Sequence, residues 1–524
     1  MADGKKRTMV LAILDGWGYS DRKVGNPIKQ ANTPTLNQIT YEYPLTLLQA
    51  SGLAVGMAWG ECGNSEVGHL NLGAGRIVEQ YYSRINRSIK DQTFYTNPAL
   101  LGAFNYAKEK NSSVHLVGLL TTGTVHAAFN HLLALLYMAS QFNPMTTYLH
   151  LYLDGRDSGL QEGADMILKL NDEIAKIGAG RIATLIGRDF AMDRDNNWDK
   201  TRKATELITK ATGEKSDDFL ATIQNYYQQG INDSGMPAIV SSQSGFTGLQ
   251  NNDALIFFNF REDSMRQTLA SFADPKFSLF PRKEISGLNI ATMTLYLDGL
   301  DVSVAIPPPM IKNGLAEVLS ANSLKQMHIA ETDKYAHVTY FFNGLQNAAY
   351  PGETDIFVES VKNLEAQPEM SSAEIATKVT EALELNVYDF IVLNFANADL
   401  LAHTGNYEAT VRGVEAVDAA LQRIISVVLK NNFLMVITAD HGNAESLIYH
   451  KSGEAETKHD DSPVQFILIG SEYRTSKDQS RIDRELSQIN GILPDVAPTI
   501  LELMKIEVPP EMSGQSLMTT LLAK

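Results

Sequence analysis

What most constrains this chain is a recurring arrangement: a short apolar run of strand-forming residues, an abrupt charge, then a stretch of helical period. Residues 8–14 (TMVLAIL) stop at Asp15, and residues 147–153 (TYLHLYL) stop at Asp154-Gly155-Arg156-Asp157. Residues 433–438 (FLMVIT) stop before Ala439-Asp440-His441, runs at 181–186, 253–260, 290–297 and 388–395 end in the same manner, and the run at 114–120 leads to Thr121-Thr122-Gly123-Thr124-Val125-His126. Runs this short and continuous read as strands buried on both faces. Between them, residues 161–177 and 408–430 carry apolar side chains at helical spacing, the second through Val411, Val414, Val417, Leu421, Ile424, Ile425 and Val428. Strand and helix in alternation predict an α/β fold of parallel sheets, with ligands at the charged strand ends.

At 524 residues the chain exceeds a single core, so two domains are expected. The clearest linker is Val304-Ala305-Ile306-Pro307-Pro308-Pro309, stiffened by three fixed φ angles. A formal net charge of −17 argues against nucleic-acid or anionic-membrane partners, so an anionic ligand needs a local cluster of cations. The single cysteine, Cys62, excludes an internal disulfide and reads as a small filler in a reducing compartment. No apolar run reaches membrane-spanning length, and the chain reads as cytoplasmic and monomeric.

Chemistry-bearing residues gather at particular strand ends. Asp399 and His403 are four apart, so a helical turn places both on one face; Asp440 and His441 are adjacent; His459 follows; Asp15 ends the first run. Mixed carboxylate and imidazole donors suit Mn2+ or Zn2+ better than Ca2+. Ser65, in Gly63-Asn64-Ser65-Glu66-Val67-Gly68-His69, opens a helix, where backbone N–H groups favour an oxyanion or a phosphoryl group. By itself that serine reads as a helix cap. With three Asp and three His elsewhere it reads as a nucleophile beside two metals, a set suited to in-line phosphoryl transfer.

The stretches Asp15-Gly16-Trp17-Gly18, Gly63 to Asn71, Asp154 to Asp157, Met192 to Asn196, Lys334 to Thr339, Asn394 to Asn397 and Thr438 to Glu445 resemble the cofactor-independent phosphoglycerate mutases of the alkaline-phosphatase superfamily. The resemblance runs from Thr8 to about Leu517. It implies an alkaline-phosphatase-like parallel-sheet domain made of residues 1–78 and 308–524, with an α/β phosphotransferase domain, 79–307, inserted between them. It also implies interconversion of 3-phosphoglycerate and 2-phosphoglycerate through a phosphoserine on Ser65, without 2,3-bisphosphoglycerate. Carried over by motif, Asp399, His403 and His459 would hold one divalent ion, and Asp15, Ser65, Asp440 and His441 the other. Mn2+ is the first choice, with Zn2+, Co2+ and Mg2+ as alternatives. Lys334 would steady the phosphoryl charge. His126, Arg156, Asp157, Arg188, Arg194 and Arg261 would bind the small phosphorylated carboxylic acid, with Asp157 moving protons at its hydroxyls.

Departures from the family concentrate in the inserted domain. Thr121-Thr122-Gly123-Thr124-Val125-His126-Ala127-Ala128 stands for the usual Ser-Asp-Gly-Gly-Val-His-Ser-His, and Ser158-Gly159-Leu160 replaces Thr-Pro-Pro after Asp157. Arg261-Glu262-Asp263-Ser264 stands for Arg-Pro-Asp-Arg, so a second substrate arginine is lost at Ser264. The alternative reading is therefore a metal-dependent phosphatase or a phosphotransferase for another small phosphoester, and a third is a binding protein without turnover.

Overall fold

The computed structural model describes residues 7–449 and 453–523. It divides into two compact units, Met1–Glu79 with Pro309–Lys524, and Gln80–Pro308. The second division falls inside the triple-proline run.

The first unit is built on an eight-stranded sheet, ordered Glu353–Val358, Gln326–Glu331, Phe390–Phe395, Met9–Leu14, Leu434–Thr438, Val464–Ile469, Leu45–Gln49, Ile489–Ile492. From Gln326–Glu331 across to Leu434–Thr438 the strands are parallel. Their carboxyl ends therefore share one edge, and that edge receives Lys334, Asp399, Asp15 and Asp440. Met9–Leu14 is buried along its whole length, as a central strand covered on both faces must be. The helix Tyr407–Lys430 covers part of one face, burying Val414, Val417, Leu421, Ile424 and Val428 along one stripe.

Two local expectations are corrected. Val464–Ile469 runs antiparallel to both neighbours, so this sheet is mixed rather than all-parallel. Among the described residues no helix separates it from Leu434–Thr438; the chain folds back on itself instead, with a bridge from Gly442 to Asp460. Without a crossover helix a strand re-enters antiparallel. Thr33-Pro34 reads in the sequence as a helix start with Thr33 as its cap, but Thr33 makes no side-chain cap bond to the helix Pro34–Glu42. Asp418 of the long helix does so, accepting from Thr35 N at 3.1 Å and Leu36 N at 2.8 Å.

The second unit has its own eight-stranded sheet, ordered Ser303–Val304, Asn289–Thr292, Ala254–Phe257, Val114–Leu120, Thr147–Leu153, Arg181–Gly187, Ile239–Ser241, Glu214–Ser216. Only the pairing of Arg181–Gly187 with Ile239–Ser241 is antiparallel. The strand expected over 253–260 ends at Phe257 because the Asn259 side chain replaces the ladder, its Oδ1 accepting from Leu119 N at 2.8 Å. Among the described residues no helix is long and apolar enough to cross a membrane.

A chain of buried polar groups crosses this second sheet. Thr184 Oγ1 lies 2.9 Å from His150 Nδ1, His150 Nε2 lies 2.9 Å from His115 Nδ1, and His115 Nε2 lies 3.1 Å from Asp253 Oδ2. Donation can run in one direction, Thr184 to His150 to His115 to Asp253, which needs both imidazoles neutral. Burial holds His115 and His150 below the usual histidine range and lowers His131 to about 3. A histidine whose folded value is depressed binds fewer protons than the unfolded chain once the pH falls below about 6.5. These groups therefore remove stability from this unit as the pH falls from about 6.5 toward 3. Hydrogen-exchange protection of Val114–Leu120 and Thr147–Leu153, corrected for intrinsic rates, is expected to fall from pH 7 to pH 4.5. Constant protection over that interval would show that the imidazoles are not neutral.

Candidate active site

Ser65, the expected nucleophile, is placed by a helix start. Asn64 is extended and its Oδ1 accepts from Val67 N at 2.9 Å, so Asn64 is the cap of the helix Ser65–Ala74. Ser65 is the first helical residue, and the cap role expected of it belongs to its neighbour. Its hydroxyl is thus left for chemistry. Two glycines let this helix come close to the sheet edge: a Cβ on Gly63 would lie 2.2 Å from Ala50 O, and one on Gly68 would lie 2.5 Å from Asp440 O.

Ser65 is 7% exposed. Its Oγ lies 2.9 Å from Asp15 Oδ1, 3.0 Å from His441 Nε2 and 2.7 Å from Lys334 Nζ. Lys334 also donates to Asp15 Oδ1 at 2.7 Å and to Asp399 Oδ2 at 2.6 Å. Burial by itself would lower the Lys334 ammonium, but Asp15 and Asp399 hold it above the usual lysine range. Burial would likewise raise the Asp15 carboxyl, yet Lys334 and His441 keep it below the ordinary carboxylate range. His441 is displaced in the other sense: against desolvation, Asp440, Asp15 and Asp399 push it up to about 10.

A donor set for a cation lies alongside. His403 Nδ1 faces Thr457 O at 2.8 Å and His459 Nδ1 faces Gly63 O at 2.8 Å, contacts that require N–H on both. The two Nε2 atoms then face each other at 3.0 Å, with Asp399 Oδ1 at 3.3 Å from one and 3.4 Å from the other. Lone pairs this close are relieved by a proton or a cation held among them. Imidazole and carboxylate donors of this kind fit a divalent transition metal. Around Ser65, Asp15 Oδ1 and Asp440 Oδ2 lie 3.5 and 3.6 Å from His441 Nε2, and Asp440 Oδ2 is buried without a hydrogen bond. These residues fit a second ion.

Residues to which the sequence assigns no role complete the geometry. His69, one turn after Ser65, is already engaged at both nitrogens, by Ser65 O at 2.9 Å and by Asn394 Nδ2 at 3.0 Å. It lies beside Asp15 and Asp440 without a lone pair left for a ligand. Asn394 Nδ2 also donates to Asp15 Oδ2 at 2.7 Å, and Asn443 Nδ2 to Asp399 Oδ1 at 2.8 Å. Glu445 Oε2 accepts from Gly18 N and Asn443 N, both at 2.9 Å, and so ties the loop after Asp15 to the loop after Asp440. Burial raises its carboxyl to about 7. A signal exists for the two asparagines, since each lies in a stretch that carries the family resemblance, Asn394 to Asn397 and Thr438 to Glu445. Cys62 is not an activated thiol, because burial, with Asp461 next, pushes it up.

The second unit gathers its charged residues at the carboxyl ends of its parallel strands. Arg188 is buried and donates to Asp154 Oδ1 and Asp157 Oδ2, both at 2.5 Å. His126 Nε2 lies 3.7 Å from the same Asp157 oxygen, and its Nδ1 lies 3.1 Å from Ser264 Oγ. Burial first, then Arg188 and Arg261, lowers His126 to about 4. Arg194 and Arg261 share Asp263, at 2.6 and 3.2 Å, whereas Arg156 pairs with Asp189. The four arginines are therefore not equivalent: Arg188 is locked in place, and the other three are about half-exposed, each on one carboxylate.

A family profile, Metalloenzyme superfamily, matches residues 7–508. The 2,3-bisphosphoglycerate-independent phosphoglycerate mutase 1 of Methanosarcina barkeri is 42% identical over 518 residues, 98% of each chain. The 2,3-bisphosphoglycerate-independent phosphoglycerate mutase of Thiobacillus denitrificans is 41% identical over 520 residues, 98% of this chain and 99% of that one. Among solved structures, Leishmania mexicana phosphoglycerate mutase at low cobalt concentration superposes with a TM-score of 0.70 at 27% identity, covering 98% of each chain.

Proposed function

The chain belongs to the 2,3-bisphosphoglycerate-independent phosphoglycerate mutases and interconverts 3-phosphoglycerate and 2-phosphoglycerate; from that premise we propose that it does so through a phosphoserine on Ser65 with two divalent ions. The observation that carries this is the convergence of Asp15, His441 and Lys334 on the Ser65 hydroxyl within 3.0 Å.

Asp399, His403 and His459 would hold one ion, and Asp15, Ser65, Asp440 and His441 the other. Bound there, the ions would lower the proton affinity of the serine and neutralise phosphoryl charge. Mn2+ is the first candidate; the cobalt named with the Leishmania protein supports a divalent transition ion. The protein residues do the rest. Ser65 Oγ attacks the phosphorus as the bond to the glycerate oxygen breaks, and Lys334 donates to the transferring oxygens. Asp157, oriented by Arg188, is the acid/base that moves protons at the glycerate hydroxyls. Arg156, Arg194 and Arg261 have donors for the carboxylate and phosphate of a doubly anionic substrate. A cytoplasmic monomer working without 2,3-bisphosphoglycerate completes the reading.

The test supplies Mn2+ and 3-phosphoglycerate, omits bisphosphoglycerate, and follows 2-phosphoglycerate and free phosphate together. Isomer without phosphate, with two Mn2+ bound per chain, is expected. Phosphate as the sole product would make the protein a phosphatase. Ser264→Arg restores the family's arginine and, like Ser264→Ala, gives up the buried hydroxyl beside His126, so its KM for 3-phosphoglycerate is expected about tenfold below that of Ser264→Ala, the value of one charge-assisted contact. A KM equal to or above that of Ser264→Ala would show that the missing charge does not limit binding.

A further inference from the structure

The side chain that replaces the family's arginine at position 264 has a definite partner. Ser264 is 2% exposed, its main-chain N donates to Asp263 Oδ1 at 2.7 Å, and its Oγ lies 3.1 Å from His126 Nδ1. Ring and hydroxyl are brought together by one loop: Phe260 N donates to His126 O at 2.8 Å, and Ser264 follows four residues later. The imidazole is neutral at neutral pH, so it carries one proton and two tautomers compete.

The other edge of the ring decides between them. Nε2 faces Asp157 Oδ2 at 3.7 Å, and Arg188 holds that carboxylate in place. A lone pair on Nε2 would point at a carboxylate, whereas an N–H would be attracted to it. Nε2 therefore carries the proton and Nδ1 must accept. Ser264 has a group that serves here, a hydroxyl that can turn its proton toward Nδ1.

We infer that Ser264 is a positioning residue for His126: its hydroxyl donates to Nδ1 and keeps the proton on Nε2, the edge offered to an anionic group of the substrate. The substrate in this statement rests on the function proposed above. The exchange of arginine for serine thus removes a cation from the substrate's surroundings and installs a hydroxyl that acts on the imidazole.

The experiment uses the full chain with Mn2+, 15N-labelled at histidine, as wild type, Ser264→Ala and Ser264→Thr, each checked for a native circular-dichroism spectrum. His126→Gln assigns the resonance. Wild type and Ser264→Thr are expected to show His126 protonated at Nε2 alone, and Ser264→Ala a mixture of tautomers. In turnover, Ser264→Ala is expected to raise the KM for 3-phosphoglycerate about tenfold, with kcat changed by less than about threefold and threonine restoring both. A pure Nε2–H tautomer in Ser264→Ala, with an unchanged KM, would overturn the inference. If the tautomer shifts but the wild type does not interconvert phosphoglycerates, the positioning stands and the functional reading fails.

Discussion

Ser65→Ala is expected to reduce phosphoglycerate interconversion by at least about 10,000-fold, because the substitution removes the atom to which the phosphoryl group would be attached. The fold should survive. Asn64, not Ser65, caps the helix, and Lys334 still bridges Asp15 and Asp399 when the hydroxyl is gone. A loss of turnover with an unchanged thermal midpoint would thus report chemistry rather than unfolding. The companion measurement is acid quenching during turnover followed by peptide mass spectrometry. Wild type should carry a phosphoryl group on the peptide containing Ser65, and the alanine variant should carry none. Residual turnover above about one per cent of wild type would be too much for a site without its nucleophile, and the assignment of Ser65 would fail.

Much of this arrangement is legible in the chain because strand ends speak plainly in sequence. An apolar run that stops at an acid announces both a buried strand and the position of the acid at its end, so the amino-acid order by itself places Asp15, Asp399 and Asp440 together. The i, i+4 spacing of Asp399 and His403 does the same on a helix, and both fall in Asn397–Thr404. Other features depend on partners distant in the chain. That Asp418 rather than Thr33 caps Pro34–Glu42 follows from a helix nearly four hundred residues later. That Val464–Ile469 is antiparallel depends on a loop folding back where a crossover helix is expected. Asn394, Asn443 and Glu445 lie within recognisable motifs that give them no role, since a buried amide that orients a ligand has the same letter as one that caps a turn. Ser264 reads as a loss because its contact with His126 joins positions 138 residues apart.

The second large effect concerns Lys334, whose role divides into stability and rate in a way that one variant can separate. The side chain is 4% exposed and is the cation bridging Asp15 and Asp399. Lys334→Met keeps most of the volume and removes the charge, leaving two buried carboxylates facing one another. Breaking a buried ion pair in this way costs about 3–5 kcal/mol, so the metal-free variant should melt well below metal-free wild type. Divalent metal returns positive charge to the same carboxylates, and the melting difference is expected to shrink when Mn2+ is added to both proteins. Turnover should not recover with it. A metal ion can offset the carboxylates, but it does not replace an ammonium 2.7 Å from the Ser65 oxygen, so kcat of the Mn2+-loaded variant is expected to remain about 100- to 1,000-fold below wild type. Equal melting of the two metal-free proteins would show that Asp15 and Asp399 are not ionised together. Full kcat in the Mn2+-loaded variant would show that the ammonium does not act on the transferring phosphoryl group and that its whole purpose is to hold the two carboxylates in place.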